Sequence, residues 1–194
     1  MKIEMRTTIG LVKHVRMDLA RPHPFAFERV GFLVCKVAET KRHTIHVFPY
    51  DYLEVEDDDY LKDVSVGAMM GPGAIRKALQ FAYRNPVAMF HVHMHDHYGQ
   101  PSFSKIDLTE NSAFVPDFWN VRPTLPHGAV VLSRDSMAGL CWMPKRRTPF
   151  PISSFSIIGF PTTLSLRATL VFGVALVTSF FVAPTSRFRL DAST

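Results

Sequence analysis

The order of residue patterns predicts a single mixed α/β (α+β) domain: a central mixed β-sheet flanked by helices. Three observations carry that expectation. Two dense β-branched and aromatic runs, at 29–38 and 43–50, are parted by a few polar residues, as in a strand pair. The segment GPGAIRKALQFAYRN (71–85) opens on Gly and Pro and sets Ile75, Leu79 and either Ala78 or Ala82 on one helical stripe. Strand-like runs follow at 86–95, 127–133 and 139–144.

Taken in order, IGLVKHV (9–15) alternates mildly and is expected to be a strand. The prolines of RPHPFAFE break the chain before the central strand at 29–38 and its hairpin partner at 43–50. The acidic run EVEDDDYLKD (54–63) reads as a solvated loop. The helix should stop near Asn85, because Pro86 pushes the residue before it out of the helical region. PVAMFHVHMH then forms a strand. SKIDLTEN can open a second helix, with Ser104 at its N-cap and Asp107 at the third helical position. In PDFWNVRP (116–123) packing is the expected role of the aromatics, ahead of substrate contact. HGAVVLS and GLCWMP close the set as two strands joined by the turn RDSMA.

Composition narrows the function classes. The chain has 194 residues, 47% hydrophobic and 20% charged, which suits a globular fold and not a disordered one. Cys35 and Cys141 lie far apart with no CxxC, so a disulfide framework or Cys-rich zinc finger is not expected and the cytoplasm is. The N-terminal stretch lacks the apolar core of a signal peptide. Residues 1–144 hold 16 Lys+Arg and 16 Asp+Glu, while 145–194 hold 6 and 1, so the net +5 belongs to the tail. A neutral main domain gives no reason to expect nucleic-acid binding. The expected division is therefore a domain at 1–144 and, at 145–194, a basic linker (PKRRTPFP) followed by an apolar tail. Residues 168–186 are uncharged and flanked by Arg167 and Arg187, near the minimum for a membrane span; buried strands are the favoured alternative.

The chemistry concentrates in HVHMHDHYGQPSFSKID, from His91 to Asp107. On a strand, residues two apart share a face, so His91, His93 and His95 converge. Two imidazoles so placed can share one zinc, and Asp107 offers a carboxylate at the far end of the loop. Two histidines, one aspartate and an open position make a catalytic rather than a structural type of site. A metal-scavenging tract is the plain alternative for the histidines, and a helix cap is the plain alternative for Ser104 and Asp107. His97 is expected to be a bystander. HExxH and GxSxG are absent.

HxH, a loop and then SxxD resembles the JAMM motif of the JAB/MPN zinc metalloproteases. That family also carries a glutamate upstream in the pattern ExxGxL, and ERVGFL supplies Glu28, Gly31 and Leu33 at that spacing. The resemblance covers roughly residues 9–143. It implies a JAB/MPN-like (cytidine-deaminase-like) sheet and a Zn2+ cofactor. It implies Glu28 as general base and Ser104 as the donor to a developing oxyanion. Without it, Glu28 beside Arg29 would read as a surface ion pair. Pairing His93 with His95 leaves eight residues before Ser104, and pairing His91 with His93 leaves ten, so His91 stands as the alternative to His95. No Pro follows the second histidine in either pairing. The implied activity is hydrolysis after the C-terminus of ubiquitin or a ubiquitin-like protein. Activating and conjugating enzymes of such a system are the implied partners. A non-catalytic MPN scaffold and a membrane-anchored protease using residues 168–186 are the alternatives.

Overall fold

The computed structural model describes residues 1–22, 27–40, 43–62 and 67–159, and the backbone of 163–166. Its elements run β1 (Lys2–Thr8), α1 (Ile9–Leu19), β2 (Val30–Glu39), β3 (Thr44–Glu54), α2 (Pro72–Arg84), β4 (Ala88–Met94), α3 (Lys105–Phe114), β5 (His127–Leu132), β6 (Met137–Trp142), β7 (Phe150–Pro151), β8 (Ser154–Ile158) and β9 (Thr163–Leu166). The strands form one mixed sheet in the order β7-β6-β5-β4-β2-β3-β1-β8-β9. The fold is thus a mixed sheet flanked by helices, as the sequence predicts.

The first element differs from expectation. Residues 9–15 are helical, and the strand lies just upstream. In β1 alternate residues Ile3, Met5 and Thr7 are buried, so the period of two ends at Thr8. Leu11, Val12, Val15 and Leu19 then follow the helical spacing and pack on the core, and Thr8 caps the helix by accepting the Leu11 N–H at 3.2 Å. A seven-residue window mistakes the start of that stripe for alternation.

β2 and β3 pair antiparallel, with a bulge between Val34 and Cys35. Gly31 is required there, since the Tyr52 ring of β3 fills the space of any Cβ. That tyrosine donates to buried Asp18 of α1 at 2.6 Å, tying helix to sheet. β4 pairs antiparallel with β2 and parallel with β5, and the β4–β5 crossover carries α3. α2 ends at Arg84, one residue before the Asn85 cap. Its buried stripe is Ala74, Ala78 and Ala82, while Ile75 and Leu79 are only half-buried. The small residues let the helix sit close against Phe32 and Met89.

The acidic run is solvated as expected at Glu54, Glu56, Asp57 and Asp58, and it is anchored by its apolar residues and two ion pairs. Val55 and Tyr60 are buried, Asp57 pairs with buried Arg29 at 2.7 Å, and Asp59 pairs with Lys77 of α2. The 116–123 segment packs inward: Phe118 is buried against Phe32 and stacks on His127, and the Trp119 indole donates to the Leu125 carbonyl. The boundary expected after residue 144 falls inside the sheet. β7 pairs with β6, β8 pairs parallel with β1, and Ile152 and Phe155 are 2% exposed in the main core. Residues 168–186 lie outside the described residues. Among the described residues no helix is long and apolar enough to cross a membrane.

Candidate metal centre

The β2–β4 register builds the site. Val30 stands opposite His93 and Phe32 opposite His91, so two residues further along Glu28 comes level with His95. Parity keeps Glu28 on the histidine face. β4 formally ends at Met94, but the His95 N–H donates to the Leu132 carbonyl at 2.9 Å, which keeps His95 beside β5. The strand start is clamped from outside: the Tyr60 hydroxyl accepts from the Val30 N–H at 2.9 Å and donates to the Val30 carbonyl at 3.1 Å. The Glu28 N–H donates to the Gly67 carbonyl at 2.8 Å. A Cβ on Gly67 would stand 2.8 Å from Glu28 Oε2, so a larger residue there would require the carboxylate to shift from its present position.

Glu28, His93 and His95 form a triad able to hold a metal ion, with one ligand atom of each within 4.8 Å of the others. A second triad shares the histidines. Nε2 of His93 and Nε2 of His95 are 3.2 Å apart, and Asp107 Oδ2 lies 3.5 Å from the first and 3.9 Å from the second. Glu28 Oε1 is 3.9 Å from His95 Nε2. At the usual ~2.0–2.1 Å zinc–nitrogen distance, two ligands of a tetrahedral ion stand about 3.3–3.4 Å apart. The donor set therefore fits a metal. Two imidazole nitrogens facing each other at hydrogen-bond range otherwise require a proton between two lone pairs. The two carboxylates stand equally far from His95 Nε2, at 3.9 Å, and Asp107 Oδ2 also lies 3.5 Å from His93 Nε2.

Ser104 caps α3, and the capping box is complete. Its Oγ accepts the Asp107 N–H at 3.1 Å, and its own N–H donates to Asp107 Oδ2 at 2.7 Å. The cap and the functional assignment do not compete, because a hydroxyl that accepts one bond still carries a proton to donate. Burial alone would raise the Asp107 carboxyl. The hydrogen bond and charge of His93, with the bonds from Ser104, outweigh it and hold the group well below the usual carboxylate range. Burial, then the neighbouring His93, pushes the His95 imidazole down, which favours the neutral, ligating ring.

His91 stands apart from both triads. Its Nδ1 lies 3.0 Å from Asn111 Oδ1, its ring packs edge-on against Phe114, and burial pushes its pKa down to about 3. The geometry thus brings His93 and His95 together, while His91 lies one step deeper along the strand. His97 is exposed, its Nδ1 against the Tyr98 carbonyl. Arg29, read in isolation as a partner for Glu28, instead pairs with Asp57 and donates to the Arg21 and Pro22 carbonyls. All the candidate residues line one cleft of about 470 Å³. Sequence reasoning missed three supporting residues: Asn111, Tyr60 and Gly67. Asn111 alone could have been suspected, as it lies one helical turn after Asp107. No protein-family model matches the chain, and no curated protein matches it.

Proposed function

We propose that the chain is a zinc-dependent peptidase of the JAMM type, built on a JAB/MPN-like sheet. Its proposed substrate is the bond after the C-terminus of a ubiquitin-like protein or its conjugate. One observation carries the proposal. The nitrogens of His93 and His95 and the Asp107 oxygen converge within 3.2 to 3.9 Å of one another, close to the spacing of ligands on one ion, with the Glu28 carboxylate 3.9 Å from His95.

His93, His95 and Asp107 would hold the zinc. The ion supplies Lewis-acid activation of water and of the scissile carbonyl. Glu28, anchored by its N–H on Gly67, removes a proton from the attacking water and delivers it to the leaving amine. The Ser104 hydroxyl, held by the cap, donates to the oxyanion that develops on the carbonyl. The Asp107 carboxylate stays ionised, so the ligand set carries one negative charge at neutral pH.

The test is zinc content together with cleavage of a ubiquitin-like fusion. Glu28→Gln should abolish turnover, by at least about 10³-fold, and leave zinc bound. Loss of zinc in that variant would make Glu28 a ligand, as in the first triad, and the role assignment wrong. A stable wild-type protein with no metal and no cleavage would replace the peptidase by a partner-binding scaffold.

A further inference from the structure

We propose that the buried His91–Asn111 pair positions the metal centre by tying the strand that carries His93 to the helix that carries Asp107. The inference rests on the centre proposed above and not on the reaction assigned to it. His91 is 7% exposed and Asn111 1%, on β4 and α3 respectively. Asn111 Nδ2 donates to the Asp107 backbone carbonyl at 2.7 Å. A carbonyl only accepts, so this bond orients the amide and turns Oδ1 toward His91. Oδ1 only accepts in turn, so the His91 proton sits on Nδ1 and donates across 3.0 Å. The chain of donors runs from His91 through Asn111 to the backbone of Asp107. Each end lies next to a ligand: His91 two residues before His93 on the same face, and the Asp107 carbonyl on the ligand residue itself.

Energetics argue that this arrangement serves more than packing. The Nε2 of His91 is buried with no hydrogen-bond partner among the described residues. An aliphatic side chain between Phe32 and Phe114 would fill the same apolar surroundings with no polar atom to place. What an aliphatic side chain cannot do is hold Asn111. The 3.5 Å gap between His93 Nε2 and Asp107 Oδ2 joins atoms on different elements, so the spacing depends on how α3 sits against β4. The apolar anchor of α3 is Phe114 at its last residue, packed on Phe32 and His91, whereas Asn111, its single fully buried residue, lies nearer Asp107. A polar tie at that residue sets the distance.

The experiment measures zinc affinity of the full chain by chelator competition, and the visible d–d absorption of the Co2+ form, which follows ligand geometry. Removing an outer tie to metal ligands typically weakens binding 10–100-fold. His91→Leu and Asn111→Leu should each weaken zinc binding by about that factor and shift the Co2+ bands. The double variant should be little worse than either. His91→Asn keeps a donor near the Nδ1 position and should bind zinc within about threefold of wild type. Wild-type affinity in both leucine variants overturns the proposal. So does a loss in His91→Asn equal to that in His91→Leu, since the ring itself would then be needed. Melting of the metal-free variants shows that each is folded; if His91→Leu is not, His91→Asn and Asn111→Leu decide. A wild-type protein that binds no zinc removes the centre and this role with it, whereas a zinc protein that cleaves nothing removes only the reaction.

Discussion

At His127 the hydrogen bonds specify one protonation state. Nδ1 accepts the Met89 N–H at 3.1 Å, so the single ring proton sits on Nε2, toward the Arg122 carbonyl at 3.4 Å. A second proton would break the Met89 bond. Burial, opposed in part by the Arg122 carbonyl, lowers its pKa to about 4. A depressed folded-state pKa means that stability is whole above the unfolded value of about 6.5 and falls as pH drops toward 4. Urea unfolding should therefore show roughly 2–3 kcal/mol lost between pH 7 and pH 4.5 from this group. In His127→Gln that pH-dependent loss should shrink, and an unchanged slope would place its origin elsewhere. Burial likewise favours the neutral ring at His95, which faces the candidate centre, and at His91, which stands outside it.

Elements are held in place by contacts that involve few side chains. α2 ends on three carbonyls gathered by one residue, since Arg122 donates from Nε to Ala82 and Asn85 and from Nη2 to Tyr83. This places a cation at the negative end of the helix. Arg122→Ala should cost about 2–3 kcal/mol by thermal or urea unfolding, the range of a charge-assisted bond with dipole support. At the other end of the site, the Gly67 segment sets the position of Glu28 through one backbone bond and the missing side chain. Gly67→Ala moves the carboxylate, since 2.8 Å is too close for carbon and oxygen. The expected outcome is a 10- to 100-fold lower kcat with zinc content unchanged, read by cleavage and metal analysis. A normal kcat would mean that Glu28 has room to shift without loss.

Over the whole molecule, the sheet runs past the point where the composition changes. A chain ending at Arg147 loses β7 and β8, leaves β1 with an open edge and uncovers the site of Ile152 and Phe155. At about 1.5–3 kcal/mol per buried side chain, the loss is roughly 3–6 kcal/mol, a large part of a typical domain's stability. That truncation should lower Tm by at least about 10 °C or leave the chain aggregated, as calorimetry and gel filtration would show. A melt equal to that of the full chain would make β7 and β8 dispensable.

Most of the strands and the long helix were legible because their patterns are local. The 29–38 and 43–50 runs are continuous β-branched stretches, and Pro86 marks the helix end. The first helix was not, because its stripe begins inside an alternating run. His91, His93, His95 and Asp107 were legible as metal donors from residue type and spacing, whereas Glu28 as a base and Ser104 as an oxyanion donor came only from the family resemblance of ExxGxL, HxH and SxxD; residue by residue they read as an ion pair and a helix cap. The sequence by itself determined that donor set and its order along the chain. It left open which histidines meet, because His91, His93 and His95 share one face equally well. Only the tertiary structure decided it. The register of β2 on β4 sets Glu28 level with His95, and α3 brings Asp107 to the end of β4, while Asn111 takes up Nδ1 of His91. These are contacts between residues far apart in the chain, and no local period encodes the distance at which two elements pack.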